Sequence, residues 1–405
     1  MLPRVIYSAS WLFPGDGPPV RDGWIEVQGE RVTAVGSGTT PAGAETRRFD
    51  RCALTPGLVN AHCHLELTTL HDRLDRGKPF PTWVEQLRGY TAGLDAADYR
   101  HAAREGVRRL LAGGCTAVLD VGNTGEAPAA LAESPLRALA LVETLGLDPS
   151  LAATRASAAE AVVSRLAPAR GNKRFRGGVT PHAAYSCSPE LLCRVIDAQR
   201  KRTQPVTLHA CESREEAELF AEGAGPLADY CRRIFADAPR HQDTTPIRWL
   251  ESLGLLPEGT IIAHGNLLNA DDMEILARRG ASVVHCPSSH DFFGHPRFPY
   301  EELRARGIPV CLGTDSLASG DSLSMLDQAR RFHLTYPKLS MWEVLAAASA
   351  AGARALNLEG VGFLRPGSAA DFVIVPCDAP EILLENEPEA RLVVIDGAET
   401  RFPGD

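Results

Sequence analysis

Two histidines one residue apart could bind a metal ion. His62 and His64 close the apolar segment 58–62, which is typical of a β-strand. Residues two apart on a strand share a face, so both imidazoles would point the same way and Cys63 would point away. Two imidazoles supply half of a four-coordinate zinc site. Such a pair is also common among ordinary core or surface histidines, so the pair alone leaves the metal site open.

Polar side chains close three further apolar runs. They are His209 with the nearby Glu212, then His264, then Asp315. If these runs are parallel barrel strands, their carboxyl ends meet at one mouth, which is where active sites of such barrels lie. A single histidine there is more often a hydrogen-bonded core residue, and Asp315 alone could cap a helix. Their occurrence together predicts a metal site.

The elements that would position these residues are strands alternating with helices. Between residues 56 and 361, eight short apolar runs alternate with amphipathic segments. This pattern predicts an α/β fold, a (β/α)8 TIM barrel. Segments 1–55 and 362–405 instead alternate apolar stretches with turn residues, which predicts a small β-sandwich-like domain built from both termini. The stretch 213–256 is long for a strand-to-helix connection, and we expect a lid-like insertion that contains helices.

Composition restricts the class of protein and of partner. The 405 residues are 44% hydrophobic and 23% charged, as in ordinary globular proteins. A net charge of −9 argues against a nucleic-acid partner, because such proteins carry basic patches. No apolar run approaches the roughly 20 residues that span a membrane, and the start lacks a signal-peptide pattern. Ten dispersed cysteines without a CxxC pair favour a reducing compartment, which we expect to be the cytoplasm. Symmetric oligomers are common among soluble proteins, and a homodimer is our expectation on that basis alone.

The motifs together resemble the amidohydrolase superfamily, and within it the branch of mononuclear deaminases and chlorohydrolases. The resemblance covers nearly the whole chain and depends on the segments PGLVNAHCH, HACE, AHG, VHCPSS, GTDS and GSAADFV, in this order. Binuclear members of the superfamily use a carboxylated lysine on strand four. The segment GVTPHAAYS has no lysine at that place, which favours one metal ion and deamination.

The resemblance implies that His62, His64, His209 and Asp315 bind one divalent metal ion. Three nitrogens and one oxygen suit zinc, with iron and manganese as alternatives. The ion would lower the pKa of a bound water, and the resulting hydroxide would attack a ring carbon of the substrate.

The resemblance also implies three catalytic roles. Glu212 would move a proton from water to a ring nitrogen of the substrate. Asp315 would accept the remaining proton and deliver it to the leaving amine, and His264 would orient the hydroxide and stabilise the tetrahedral intermediate. The alternative interpretation of Glu212 is an acidic residue in the first turn of a helix.

Four residues are candidates for substrate binding. The segment PHAAYS is similar to one through which nucleoside deaminases of this branch contact their substrate, which makes His182 a candidate ligand of a ribose hydroxyl. Glu66 and the later PFPTWV resemble the deaminases of 6-aminodeoxyfutalosine, an adenine nucleoside of the alternative menaquinone pathway with a carboxyphenyl ketone. Its carboxylate would need a cation, and we predict Arg88 for it and Trp83 as a stacking ring. A structural histidine, a solvated arginine and a packing tryptophan are the alternatives.

Three functions stay open at this point. The first is a metal-dependent aminohydrolase for the 6-amino group of an adenine nucleoside, with 6-aminodeoxyfutalosine ahead of adenosine and S-adenosylhomocysteine. The second uses the same site on a guanine, cytosine or pterin amine, or on a triazine chloride. The third is a non-catalytic scaffold, which would have lost metal ligands or Glu212, and the chain retains them all.

Overall fold

A computed structural model describes residues 3–166, 172–235, 237, 241–385 and 387–400. Parts of the predicted segments therefore lie outside the described residues. These parts are residues 1–2, 386 and 401–405 of the terminal domain, residues 167–171 of the barrel, and residues 236 and 238–240 of the insertion.

Fifteen strands and fourteen α-helices make up the described chain. The strands are β1 (Arg4–Leu12), β2 (Val20–Gln28), β3 (Arg31–Ser37), β4 (Glu45–Pro56), β5 (Leu58–Cys63), β6 (Cys115–Gly122), β7 (Arg137–Thr144), β8 (Phe175–Pro181), β9 (Thr207–Ala210), β10 (Ile261–His264), β11 (Ser282–His285), β12 (Val310–Leu312), β13 (Phe372–Pro376), β14 (Leu392–Ile395) and β15 (Ala398–Glu399). The helices are α1 (Phe80–Thr91), α2 (Ala96–Ala112), α3 (Glu126–Glu133), α4 (Ala152–Arg165), α5 (Pro189–Lys201), α6 (Arg214–Glu222), α7 (Pro226–Phe235), α8 (Pro246–Ser252), α9 (Ala270–Arg278), α10 (Pro287–Phe293), α11 (Tyr300–Ala305), α12 (Met325–Thr335), α13 (Met341–Ala347) and α14 (Ala350–Ala355). Short 3-10 helices span Leu65–Leu70, Pro149–Leu151 and Pro380–Ile382.

Eight parallel strands, β5 to β12, form the barrel. They make two hydrogen-bonded sheets of four strands, and isolated parallel bridges join the sheets at Cys63–Asp315 and Ala183–His209. The strands are apolar almost throughout because helices cover the outside and side chains fill the inside. All eight residues of β6 are buried, for example. The predicted (β/α)8 fold class is confirmed.

A seven-stranded sheet combines strands from both ends of the chain, in the order β15-β14-β13-β4-β1-β2-β3. Strand β4 pairs antiparallel with β13 and leads into barrel strand β5 through the single residue Gly57. A Cβ atom at Gly57 would lie 2.1 Å from the Thr116 hydroxyl, so only glycine fits this close approach. The sheet therefore fixes where the first barrel strand begins. The boundaries of the two parts, including residue 55 inside β4, stay a prediction.

Arg137, the first residue of β7, joins the barrel to this sheet at the end opposite the mouth. Its guanidinium donates to both oxygens of Asp371, at 2.5 and 3.2 Å, and also pairs with Asp396. Asp371 is 1% exposed, so this is a buried ion pair.

Helices begin at local capping signals. Asp95 and Asp98 form a reciprocal capping box at the start of α2, and Ser188 caps α5, which begins with Pro189. The stretch 213–256 contains α6, α7 and α8, and its role as a lid stays a prediction. Among the described helices, none is both long and apolar enough to cross a lipid bilayer.

Candidate metal centre and active site

The four side chains predicted as metal ligands lie together inside the mouth of the barrel. His64 Nε2 lies 3.3 Å from His209 Nε2 and 3.6 Å from Asp315 Oδ1. His62 Nε2 lies 3.9 Å from the same Asp315 oxygen. Strands β5 and β9 and the segment that follows β12 thus bring three imidazoles and one carboxylate together.

The hydrogen bonds of the rings leave their Nε2 atoms free for a cation. His64 Nδ1 lies 2.8 Å from the Val121 carbonyl oxygen, and His209 Nδ1 lies 3.0 Å from the carbonyl oxygen of His182. A carbonyl only accepts, so each Nδ1 carries the hydrogen and each Nε2 presents a lone pair to the cluster.

His62 supplies the test of whether these residues fit a metal ion. Both of its ring nitrogens are buried and have no hydrogen-bond partner among the described residues. Such atoms are rare in folded proteins unless a ligand satisfies them. Burial and the neighbouring His64 and His264 hold the pKa of His62 well below its usual value, which keeps the ring in the neutral, ligating form. The donor set of three nitrogens and one oxygen fits one divalent ion.

Two serines orient the carboxylate of Asp315. The hydroxyls of Ser289 and Ser319 donate to Oδ2, at 2.7 and 2.8 Å, and leave Oδ1 facing the histidines. Burial alone would raise the pKa of Asp315, but the facing imidazoles, His264 first, outweigh it and lower the pKa to about 2. The residue therefore presents an ionised oxygen to the cluster. Its backbone has a left-handed φ of +56°, which aspartate tolerates better than most residues.

Glu212 and His264 form a second pair beside the cluster. Glu212 Oε1 lies 3.6 Å from His264 Nε2, and both side chains are buried. Glu216 Oε2 accepts a hydrogen bond from the Glu212 backbone N–H at 2.7 Å, and the Asn266 amide donates to the Glu212 carbonyl at 3.1 Å. Burial, and then the charge of Asp315, raise the pKa of Glu212 well above its usual value. This shift favours the protonated form of Glu212, which is the form that can donate a proton.

The four predicted substrate residues line one cavity of about 320 Å³ together with His64, His209, Glu212, His264 and Asp315. The carboxylate of Glu66 already accepts hydrogen bonds from the backbone N–H groups of Asn123 and Thr124, at 2.9 and 3.1 Å. His182 Nδ1 lies 2.7 Å from the Ser186 hydroxyl, so its other ring nitrogen is the one left for a ligand.

Trp83 and Arg88 are both on helix α1, at different depths. Trp83 is buried, its Nε1 donates to the Ala318 carbonyl at 3.0 Å, and its ring stacks on Phe80. Arg88 is exposed at the outer part of the cavity, opposite Tyr230 on α7. Burial raises the pKa of Tyr230, and the neighbouring Arg88 guanidinium opposes that shift.

The outer walls of the cavity are mostly apolar and come from α1, α7 and the loops that follow β5 and β7. The apolar lining residues are Leu67, Phe80, Trp83, Val84, Leu87, Leu145, Leu227 and Phe235. An ion pair between Glu85 and Arg233 joins α1 to α7 above this part of the cavity. The cavity therefore runs from a polar floor, formed by the candidate metal ligands, to an apolar outer part with the Arg88 guanidinium at its rim.

A model of the amidohydrolase family matches residues 53–399. The chain belongs to the amidohydrolase family. The resemblance inferred from the motifs is thereby confirmed, and the protein is a hydrolase of this family. It is 32% identical over 388 residues to a 5-methylthioadenosine/S-adenosylhomocysteine deaminase from Nitratidesulfovibrio vulgaris, covering 92% of this chain and 84% of that protein. It is 31% identical over 374 residues to the protein of the same name from Halobacterium salinarum, covering 90% and 82%.

Solved structures share the fold of this amidohydrolase. Helicobacter pylori aminofutalosine deaminase in complex with methylthio-coformycin superposes with a TM-score of 0.88 at 22% identity, covering 98% of this chain and all of that one. Zinc-bound atrazine chlorohydrolase from Arthrobacter aurescens superposes with a TM-score of 0.82 at 20% identity, covering 98% and 94%. At these identities the likeness concerns the fold.

The sequence analysis missed three residues of this amidohydrolase site. Ser289 and Ser319 could not be singled out, because only the fold brings helix α10 and the segment after β12 together at Asp315. Glu143 carried a usable signal, since it is a polar residue near the end of the apolar run that became β7. Its Oε1 lies 3.6 Å from His209 Nδ1. Burial, and then the nearby Glu66 and Asp315, raise the pKa of Glu143 to about 8.

Proposed function

We propose that this amidohydrolase is a metal-dependent aminohydrolase that removes the 6-amino group of an adenine nucleoside, and that the nucleoside is 6-aminodeoxyfutalosine. The observation that carries the proposal is the convergence of His62, His64, His209 and Asp315 next to Glu212 and to His264, which itself lies close to His62 and Asp315. When bound, a divalent ion, with zinc as our choice, supplies the Lewis-acid chemistry that makes water nucleophilic near neutral pH.

The chain's own residues would move the protons. Glu212, whose protonated form burial favours, donates to a ring nitrogen and so makes the adjacent ring carbon electrophilic, and it recovers a proton from the attacking water. Asp315, whose carboxylate is ionised, accepts the other proton of the attacking water and passes it to the departing amine. His264, 3.6 Å from Glu212, orients the attacking group. The sum is nucleoside plus water giving the 6-oxo nucleoside plus ammonia.

The outer cavity supports the choice of nucleoside. Its apolar wall suits an aromatic substituent, and Arg88 at its rim suits a carboxylate on that ring. Trp83, held by its hydrogen bond to Ala318, would offer an aromatic surface to the substituent. A carboxyphenyl ketone at the far end of the nucleoside has both of these properties, and this substrate would place the enzyme in menaquinone biosynthesis.

A second candidate substrate is 5-methylthioadenosine or S-adenosylhomocysteine. Two relatives at 31% and 32% identity carry that name, and each alignment covers at least 90% of this chain. A methylthio group would pack against the apolar wall, but it would make no ion pair with Arg88. The homocysteine carboxylate could reach Arg88 but would bring an ammonium group next to it.

The deciding experiment measures ammonia release by zinc-loaded protein from 6-aminodeoxyfutalosine, 5-methylthioadenosine, S-adenosylhomocysteine and adenosine side by side. We expect the highest kcat/KM for 6-aminodeoxyfutalosine. A preference for either sulfur nucleoside would leave adenine deamination standing and overturn the substrate. Absence of ammonia from all four would overturn the proposal.

A cytoplasmic homodimer is part of the same proposal, supported by composition and by base rates alone.

A further inference from the structure

Glu143 carries a buried oxygen that nothing in the described protein satisfies. The side chain lies near the carboxyl end of β7, is 5% exposed and lines the cavity. Its Oε1 has no hydrogen-bond partner among the residues that the structure describes. An unsatisfied buried acceptor costs more than an ordinary hydrogen bond contributes. A hydrogen-bond donor on a bound ligand would satisfy this oxygen.

Two roles that need no substrate do not account for this oxygen. His209 Nδ1 lies 3.6 Å from Glu143 Oε1, but its N–H is bonded to the His182 carbonyl at 3.0 Å. A hydrogen bond that merely orients His209 is thus already made elsewhere. A second cation between Glu143, His182 and His209 is also disfavoured, because the His209 nitrogen facing Glu143 carries a hydrogen and cannot be a ligand.

The order of the barrel strands indicates which part of a nucleoside would reach Glu143. Strands β7, β8 and β9 are neighbours, so Glu143, His182 and Glu212 follow one another along the wall of the cavity. If the N1–C6 edge of the purine faces Glu212 and the metal cluster, the sugar lies on the opposite side of the bicyclic ring. The donors that a purine nucleoside offers there are the hydroxyls of its sugar.

We propose that Glu143 is a specificity-determining residue that accepts a hydrogen bond from a sugar hydroxyl of the substrate. The proposal rests on the nucleoside substrate of the proposed function. Strand β7 would thereby contact the sugar of the substrate, whereas Glu212 acts on its purine ring. Glu66, whose oxygens are already bonded to the backbone of Asn123 and Thr124, is less free to make that contact.

The test compares equilibrium binding of inosine and 2′,3′-dideoxyinosine to zinc-loaded protein by calorimetry. The variants are Glu143→Leu, which removes both oxygens at similar volume, and Glu143→Gln, which keeps one acceptor. The control is Glu274→Gln, the same change at an exposed position on α9. We expect the wild type to prefer inosine by roughly 2- to 10-fold, the size of one ordinary buried hydrogen bond of about 0.5–1.5 kcal/mol.

Glu143→Leu should remove the preference by weakening inosine alone, and Glu143→Gln should keep part of it. Zinc content should stay at the wild-type level in both. The Tm of Glu143→Leu should not fall, because no bond within the described protein is lost. The proposal is overturned if inosine does not bind the wild type, if the preference survives in Glu143→Leu, if both ligands weaken equally, or if zinc is lost. Failure of ammonia release with the preference intact would refute deamination and leave this contact standing.

Discussion

Strand β7 carries a charged residue near each end, and the two ends differ in how those charges are satisfied. At the amino end, Arg137 donates to both oxygens of Asp371 and also pairs with Asp396. Near the carboxyl end, Glu143 keeps an unpartnered oxygen within the described protein, and His62 on β5 keeps two unpartnered nitrogens. Of these charged groups, Arg137 and Asp371 at the amino end are satisfied within the protein, and Glu143 and His62 near the mouth are left open where a ligand would complete them.

The largest effect should come from Glu212 at the open end. Glu212→Gln keeps the shape but cannot give up a carboxylic proton, so kcat for ammonia release should fall by about 10²- to 10⁴-fold. Metal content and Tm should stay near the wild-type values. Turnover that survives this change would show that another group moves the proton. It would also contradict the assignment of the chemistry to the carboxyl end of the barrel.

The next effect should come from the satisfied end, and in stability. Arg137→Met leaves Asp371 buried without its cation, which should lower the free energy of unfolding by about 3–5 kcal/mol. Urea denaturation measures the loss, and kcat per folded molecule should stay near the wild-type value. The matched control is the double variant Arg137→Met with Asp371→Asn, which should recover part of the loss. A fall in kcat without a fall in stability would contradict the comparison.

Arg88, at the rim of the cavity, is the residue that we expect to bind the substrate carboxylate. Arg88→Ala should raise KM for 6-aminodeoxyfutalosine by about 10-fold, because a charge-assisted pair with the carboxylate is lost at a partly solvated place. Adenosine, which has no carboxylate, serves as the internal control and should keep its KM. Arg88→Lys should lie between the two. Equal changes for both nucleosides would mean that Arg88 supports the helix and does not bind the carboxylate.

The smallest effect should come from an ion pair away from both ends. Glu105 on α2 accepts hydrogen bonds from Arg108 and Arg109, and chiefly the bond from Arg108 lowers its pKa from 4.5 to about 2. A lowered folded-state pKa stabilises the protein above pH 4.5 and loses that contribution as the pH falls toward 2. Glu105→Gln should thus cost about 0.2–1 kcal/mol at pH 7. Urea titrations at pH 7 and pH 3 should show the cost shrinking at the lower pH, and an equal cost at both would be contrary to this.

The sequence alone was sufficient for the barrel and for the position of its mouth. Each barrel strand is a short run of buried apolar residues, and His64, His209, His264 and Asp315 lie at the ends of such runs. The carboxyl ends of the parallel strands all lie at one end of the barrel, so polar side chains at those positions come close together. The spacing of His62 and His64 placed both rings on the inner face for the same reason.

The side-chain contacts that could not be predicted from the sequence join segments far apart in the chain. Arg137 meets Asp371 across 234 positions, and only the docking of the terminal sheet onto the barrel brings them together. Ser289 reaches Asp315 from the first turn of helix α10, 26 positions away along the chain. Glu143 lay within reach of the strand-end argument, but the apolar run around it made it look like part of the core.

The central claim is that His62, His64, His209 and Asp315 hold one divalent cation. Elemental analysis of purified protein, after zinc loading and exhaustive dialysis, tests it directly. The account predicts one zinc ion per chain in the wild type and in Glu212→Gln, and a marked loss of zinc in His62→Ala and His209→Ala. A wild-type protein that retains no metal, or histidine variants that retain as much as the wild type, would contradict it.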